Sequence, residues 1–171
     1  AQLFTRPSTA RMLIRGVRLP KGSPQLVALA IRLNREIKKL AEDAGLEKVL
    51  FLGRVDRDEI PLHYQAMDIG TCLNVGGVVD GSPLKFFEYL AAGLFVLGSG
   101  FPQIKEIIEA NQVGIFLDSP SPEEIAQTIR KLYQYPDQII KVRQQNITIA
   151  KEKYSWSQVS QQVADILANK Q

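Results

Sequence analysis

One cysteine, one histidine and one tryptophan are all that 171 residues contain of those types. A single cysteine, Cys72, cannot close an internal disulfide, and no His/Cys spacing matches a metal pattern. Cys72 lies in an apolar run and reads as an inert core thiol. His63, beside Tyr64, reads as a surface or helix-packing residue rather than a catalyst. No apolar stretch reaches the length of a membrane span and no leader pattern appears, so a soluble, reducing, cytoplasmic setting is expected. Net charge is only +3, and the basic residues are scattered without a stripe or interleaved aromatics. That weighs against a nucleic-acid partner. The G-x-G-x-x-G fingerprint and the lysine-containing P-loop pattern are both absent. Asn146-Ile147-Thr148 fits a glycosylation acceptor, a pattern common by chance and of little meaning in that compartment.

What is present is a succession of short apolar runs, each followed by a helical pattern. Met12-Leu13-Ile14, Val49-Leu50-Phe51-Leu52, Ile69-Gly70-Thr71-Cys72-Leu73, Leu94-Phe95-Val96-Leu97 and Gly114-Ile115-Phe116-Leu117 read as buried strands. A long helix is expected from Ser23-Pro24, with Leu26, Leu29, Ala30, Leu33, Ile37 and Leu40 as its inward stripe and Gly45 as its stop. Asp58 is expected to cap a short helix carrying Pro61. Ile104 to Glu109 reads as a helical turn or two. Ser121-Pro122-Glu123-Glu124 is a capping box, Pro136 opens a helix running to about Lys153, and Ser155 with Gln158 forms a second capping box. Val159, Val163, Ile166 and Leu167 make the last apolar face, and Trp156 is expected against the sheet.

Continuously apolar strands alternating with helices imply a Rossmann-like α/β fold: a parallel sheet with helices on both faces, ending in C-terminal helices. Residues 10–171 are expected to form one domain, truncated on its N-terminal side, with 1–9 a linker or cloning remnant. Ligands of such sheets bind at the carboxyl ends of the strands, where helix N-termini attract phosphate. The stretch from Val79 to Gly93 occupies that position. Ser82 is expected at the N-cap, Pro83 in the first turn and Gly93 just past the end. The helix between them is apolar on most faces, yet Glu88 falls in the stripe of Leu84, Phe87 and Ala91. The residues alone leave two readings open: a salt bridge to Lys85, or a carboxylate that accepts hydrogen bonds from a ligand.

The string Ser82-Pro83-Leu84-Lys85-Phe86-Phe87-Glu88-Tyr89-Leu90-Ala91-Ala92-Gly93 resembles the C-terminal, nucleotide-sugar-binding half of a group 1 retaining glycosyltransferase with the GT-B fold. Val49 to Gly53, Tyr64 to Ile69, Glu106-Ile107-Ile108 with Gly114, and Tyr154-Ser155-Trp156 follow the same family order, so the likeness runs from about Met12 to Leu167. The resemblance implies transfer of a sugar from a nucleotide-sugar donor, with retention. Its two acids fall on Asp80 and Glu88, assigned to catalysis. Glu88 would hold the ribose hydroxyls, and Asp80, an aspartate where the family has glutamate, would meet the transferred sugar. Backbone around Gly81, Ser82 and Leu84 would meet the sugar and diphosphate, with Lys85 beside the phosphate. Gly53, Arg54 and Val55 would lie near the nucleobase. Glu106 matches a family position near the donor.

The family's first strand-and-loop unit, which brings an arginine and a lysine to the diphosphate, has no clear counterpart; Arg18 and Lys21 echo it faintly. The acceptor, a saccharide, lipid or other small molecule, would be bound by an N-terminal domain outside this chain. The isolated domain is accordingly expected to be inactive. No cofactor or metal is expected. Two alternatives carry the same fold: a non-catalytic nucleotide-binding or interaction module, or a GT-B epimerase or phosphorylase.

Overall fold

A computed structural model of the chain describes residues 12–15, 35–45, 49–53, 55–74 and 83–168. The expected linker at 1–9 and the start of the long helix lie outside them. The chain divides into two compact units, 1–60 and 61–171.

In the first unit β1 (Met12–Arg15) and β2 (Val49–Gly53) pair in parallel, with Met12 opposite Val49 and Ile14 opposite Phe51. Residues 35–43 are helical (α1), and the chain leaves them through Gly45. Of the expected stripe, Ile37 and Leu40 are exposed, whereas Ala41 is buried. A 3-10 turn, Arg57–Glu59, leads into α2 (Ile60–Gln65). Asp58 lies within that 3-10 turn, whose N-cap position is held by Asp56 without a side-chain capping hydrogen bond, and Pro61 does fall in the first turn of α2.

The second unit holds β3 (Ile69–Cys72), α3 (Leu84–Ala91), β4 (Phe95–Ser99), α4 (Pro102–Asn111), β5 (Gly114–Leu117), α5 (Pro122–Gln134), α6 (Asp137–Lys153) and α7 (Trp156–Ala168). The strands form a parallel sheet in the order β3-β4-β5, and every residue of the central strand β4 is buried. Phe95 packs with Leu132 of α5 and Ile139 of α6, while the position of Gly98 faces Ile104 and Ile108 of α4. Burial on both faces is what a run without polar alternation requires. Among the described residues the five strands form two parallel sheets, a pairing that apolar runs alone do not specify.

The core is built from Phe86 and Leu90 of α3, Leu94, Leu97, Ile104, Ile108 and Leu132, all almost fully buried. Each such side chain contributes about 1.5–3 kcal/mol on leaving water. Helix α3 ends in a Schellman arrangement: Gly93 N–H donates to Leu90 O at 2.9 Å and Leu94 N–H to Tyr89 O at 2.9 Å. Gly93 has φ 74°, and a Cβ there would meet Arg143 of α6, so both backbone and space ask for glycine. Ser121 Oγ accepts from Glu124 N–H at 3.2 Å, and Ser155 Oγ from Gln158 N–H at 3.4 Å, as the two capping boxes predict.

Asn146, whose glycosylation pattern carries little meaning in the sequence, is fully buried in α6, and its Nδ2 donates to Leu94 O at 2.7 Å and Val113 O at 3.1 Å. It thereby ties together the residues that lead into β4 and β5. Trp156 does not lie against the sheet but is 86% exposed, and none of the α7 residues is buried. The α7 periodicity defines an apolar face without defining what that face meets.

Candidate functional site

Helix α3 buries Phe86, Tyr89 and Leu90 and turns Leu84, Lys85 and Glu88 outward. The expected apolar stripe through Leu84 and Ala91 is therefore the exposed face, with only Phe87 half-buried. A helix apolar nearly all round has two candidate faces. The face through residues 86, 89 and 90 buries three large side chains and no charge, whereas the other would bury a carboxylate. The helix begins at Leu84 with Pro83 as N-cap, one position later than the sequence suggested; Ser82 lies outside the described residues.

Glu88 is not paired with Lys85. Its partner is Tyr64, which precedes β3 on α2: the tyrosine O–H donates to Oε2 at 2.6 Å. Tyr64 is itself buried, and its ring meets Tyr89 edge to face, with centroids 5.3 Å apart and planes at 79°. Tyr89 in turn lies over Gly70 of β3, where any Cβ would clash with its ring carbons. The missing side chain in the strand makes room for one aromatic, which supports a second, whose hydroxyl holds the acid. Sequence reasoning singled out Glu88 but not this partner; the signal was Tyr64 itself, an aromatic within a helix beside the strand.

The carboxyl ends of β3 and β4 meet beside this group. Asn74, just past β3, donates its N–H to Ser99 Oγ at 3.2 Å and to Ser99 O at 3.3 Å, and Ser99 is fully buried. The departing loop is thus anchored to the end of β4. Cys72, the last residue of β3, is buried, and burial pushes its thiol up to about 11, with Lys85 lowering and Glu88 raising it. The thiol is neutral at physiological pH, so it is no nucleophile there. At the end of β5, Lys105 of α4 pairs with Asp118 at 2.6 Å and lies 5.6 Å from the Phe116 ring centre. The hydrogen bond to Asp118 raises the Lys105 pKa. Its neighbour Glu106 is exposed on α4.

Of the residues expected at the site, Leu84, Lys85 and Glu88 share the outer face of α3, and Leu84 is 67% exposed despite being apolar. Gly53 ends β2 and Val55 follows half-buried, both in the first unit. Arg54, Asp80, Gly81 and Ser82, with Arg18 and Lys21, fall outside the described residues. His63 is half-buried on α2. Among the described residues no cluster of three or more His, Cys, Asp or Glu could hold a metal ion, and no helix is long and apolar enough to cross a membrane.

Comparison with known proteins adds to this geometry. The model of the family described as glycosyl transferases group 1 matches residues 21–169. The GDP-mannose-dependent alpha-(1-6)-phosphatidylinositol monomannoside mannosyltransferase of Mycobacterium tuberculosis (strain ATCC 25618 / H37Rv) is 26% identical over 136 residues, 77% of this chain and 35% of its own length. The chain therefore spans about a third of the curated relatives it matches. Among solved structures, Anabaena HepE in complex with UDP and glucose superimposes with a TM-score of 0.73 at 16% identity, over 95% of this chain and 49% of that one. The C-terminal domain of the group 1 glycosyl transferase LpcC from Francisella tularensis gives 0.64 at 22% identity, over 84% of this chain and 85% of that one.

Proposed function

The chain belongs to the group 1 glycosyltransferases, and from that premise we propose that it is the donor-binding half of an enzyme that moves a hexosyl group from a nucleoside-diphosphate sugar to an acceptor with retention of configuration. The observation that carries this reading is Glu88: an exposed carboxylate, held by a buried tyrosine, on the helix that follows β3 of a parallel sheet. A vicinal diol such as a ribose offers two O–H donors to one such carboxylate. The GDP-mannose-dependent relative and the neighbour solved with UDP and glucose support a nucleotide-sugar donor.

In this account Glu88 accepts from the ribose hydroxyls, while Lys85 and the first-turn amides of α3 draw the diphosphate. The family resemblance assigns Asp80 to the transferred sugar, the backbone of Gly81, Ser82 and Leu84 to the sugar and diphosphate, and Gly53, Arg54 and Val55 to the base. The bond from the anomeric carbon to the diphosphate breaks, a bond to the acceptor oxygen forms, and the acceptor proton leaves with the diphosphate. Stabilising the departing diphosphate supplies most of the acceleration. The acceptor site lies on another lobe, so these 171 residues alone bind donor without turnover.

The test is incubation of the intact enzyme with UDP-, GDP- and ADP-hexoses and candidate acceptors, followed by nuclear magnetic resonance of the product's anomeric proton. One donor should be consumed, with nucleoside diphosphate released and the donor's anomeric configuration kept. Binding without transfer would favour a non-catalytic module, and an inverted product would overturn retention.

A further inference from the structure

We infer that Tyr64 is a positioning residue for donor recognition, acting through Glu88; this rests on the reading of Glu88 as the ribose acceptor. Glu88 is exposed, and an exposed glutamate left to itself samples many rotamers, whose loss on binding costs up to about 2 kcal/mol. Here one carboxylate oxygen is already fixed by a 2.6 Å hydrogen bond, within the length range of a charge-assisted O–H···O bond. The donor is not a mobile surface group. Tyr64 is 7% exposed, and its ring is braced edge-on by Tyr89, which is itself seated over Gly70. The strand thus sets the first ring, the first ring steadies the second, and the second fixes Oε2. That leaves Oε1 and the remaining lone pairs of Oε2 as acceptors for a pair of adjacent hydroxyls. Preorganisation of this kind raises affinity by removing an ordering cost before the ligand arrives.

The experiment uses the intact protein and the nucleoside diphosphate, among UDP, GDP and ADP, that the wild type binds, together with its 2′,3′-dideoxy analogue. Tyr64→Phe keeps the ring and removes only the hydroxyl. It should weaken the ribonucleotide roughly tenfold, the scale of one hydrogen bond to a charged group, and leave affinity for the dideoxy analogue unchanged. In a Glu88→Ala background Tyr64→Phe should have no further effect, which guards against a loss that comes from misfolding alone. In the transfer reaction Tyr64→Phe should raise the donor KM with kcat nearly constant. Equal losses for both nucleotides, or full additivity with Glu88→Ala, would overturn the inference and leave Tyr64 a packing residue. A wild type that binds no nucleoside diphosphate would overturn the donor-lobe reading and this inference with it.

Discussion

Asn146→Ala removes a buried amide whose Nδ2 serves Leu94 O at 2.7 Å and Val113 O at 3.1 Å. Val113 O keeps a second donor, the Val96 N–H at 3.3 Å, so its loss is partial. Leu94 O loses a good donor in a fully buried place, which costs about 1–3 kcal/mol. The truncated side chain leaves a cavity worth on the order of 1 kcal/mol more. One term runs the other way: Asn146 Oδ1 is buried without a partner, and removing it relieves that penalty. The sum is a destabilisation of about 2–3 kcal/mol, or roughly 4–12 °C in Tm for a chain of this size. Asn146→Asp should be worse at neutral pH, because it sets a carboxylate against two carbonyl oxygens and keeps no donor. Thermal unfolding followed by circular dichroism checks both. A Tm shift below about 2 °C for Asn146→Ala, or Asn146→Asp as stable as wild type, would refute the bridging role.

Cys72 gives a pH prediction. Its thiol is raised from 9.0 to about 11, chiefly by burial, so the unfolded chain ionises first as pH rises. Its share of stability is therefore full below pH 9 and lost between about pH 9 and 11. Alkylation at pH 8 should be about 100-fold slower in the native protein than in urea, from thiolate fraction alone; rapid native labelling seen by mass spectrometry would contradict this. Gly70→Ala would drive a methyl into the Tyr89 ring, and Tyr89 is buried. It should lower stability by about 1–3 kcal/mol and weaken nucleotide binding through Tyr64, read as Tm and Kd; an unchanged Tm would show that the ring has room to move.

The strands were legible because Leu94 to Leu97 offers no polar alternation, and such a run is stable only with both faces covered. The stops and caps were legible because they are local: Gly93, Ser121 and Ser155 act on backbone groups within a few residues. What failed was tertiary. In α3 the apolar pattern fits two faces, and the choice falls to bulk packing at Phe86, Tyr89 and Leu90. Asn146 matches a surface motif in sequence, and only the meeting of α6 with the residues before β4 and β5 gives it two carbonyls to serve. Glu88 stood out as a charge among apolar neighbours, but its partner is 24 residues away on another helix, beyond the reach of any i, i+4 rule. Trp156 and the α7 stripe show the same limit, since amphipathicity names a face and not its partner.

The proposed function stands on Glu88 receiving the nucleotide of a sugar donor. Isothermal titration of the intact protein with UDP, GDP and ADP, for wild type and Glu88→Ala, addresses it most directly. One of the three should bind the wild type, and Glu88→Ala should weaken it by about 1–3 kcal/mol while the circular dichroism spectrum stays native. Equal affinity in Glu88→Ala, or heat from none of the three nucleotides with the wild type, would contradict it.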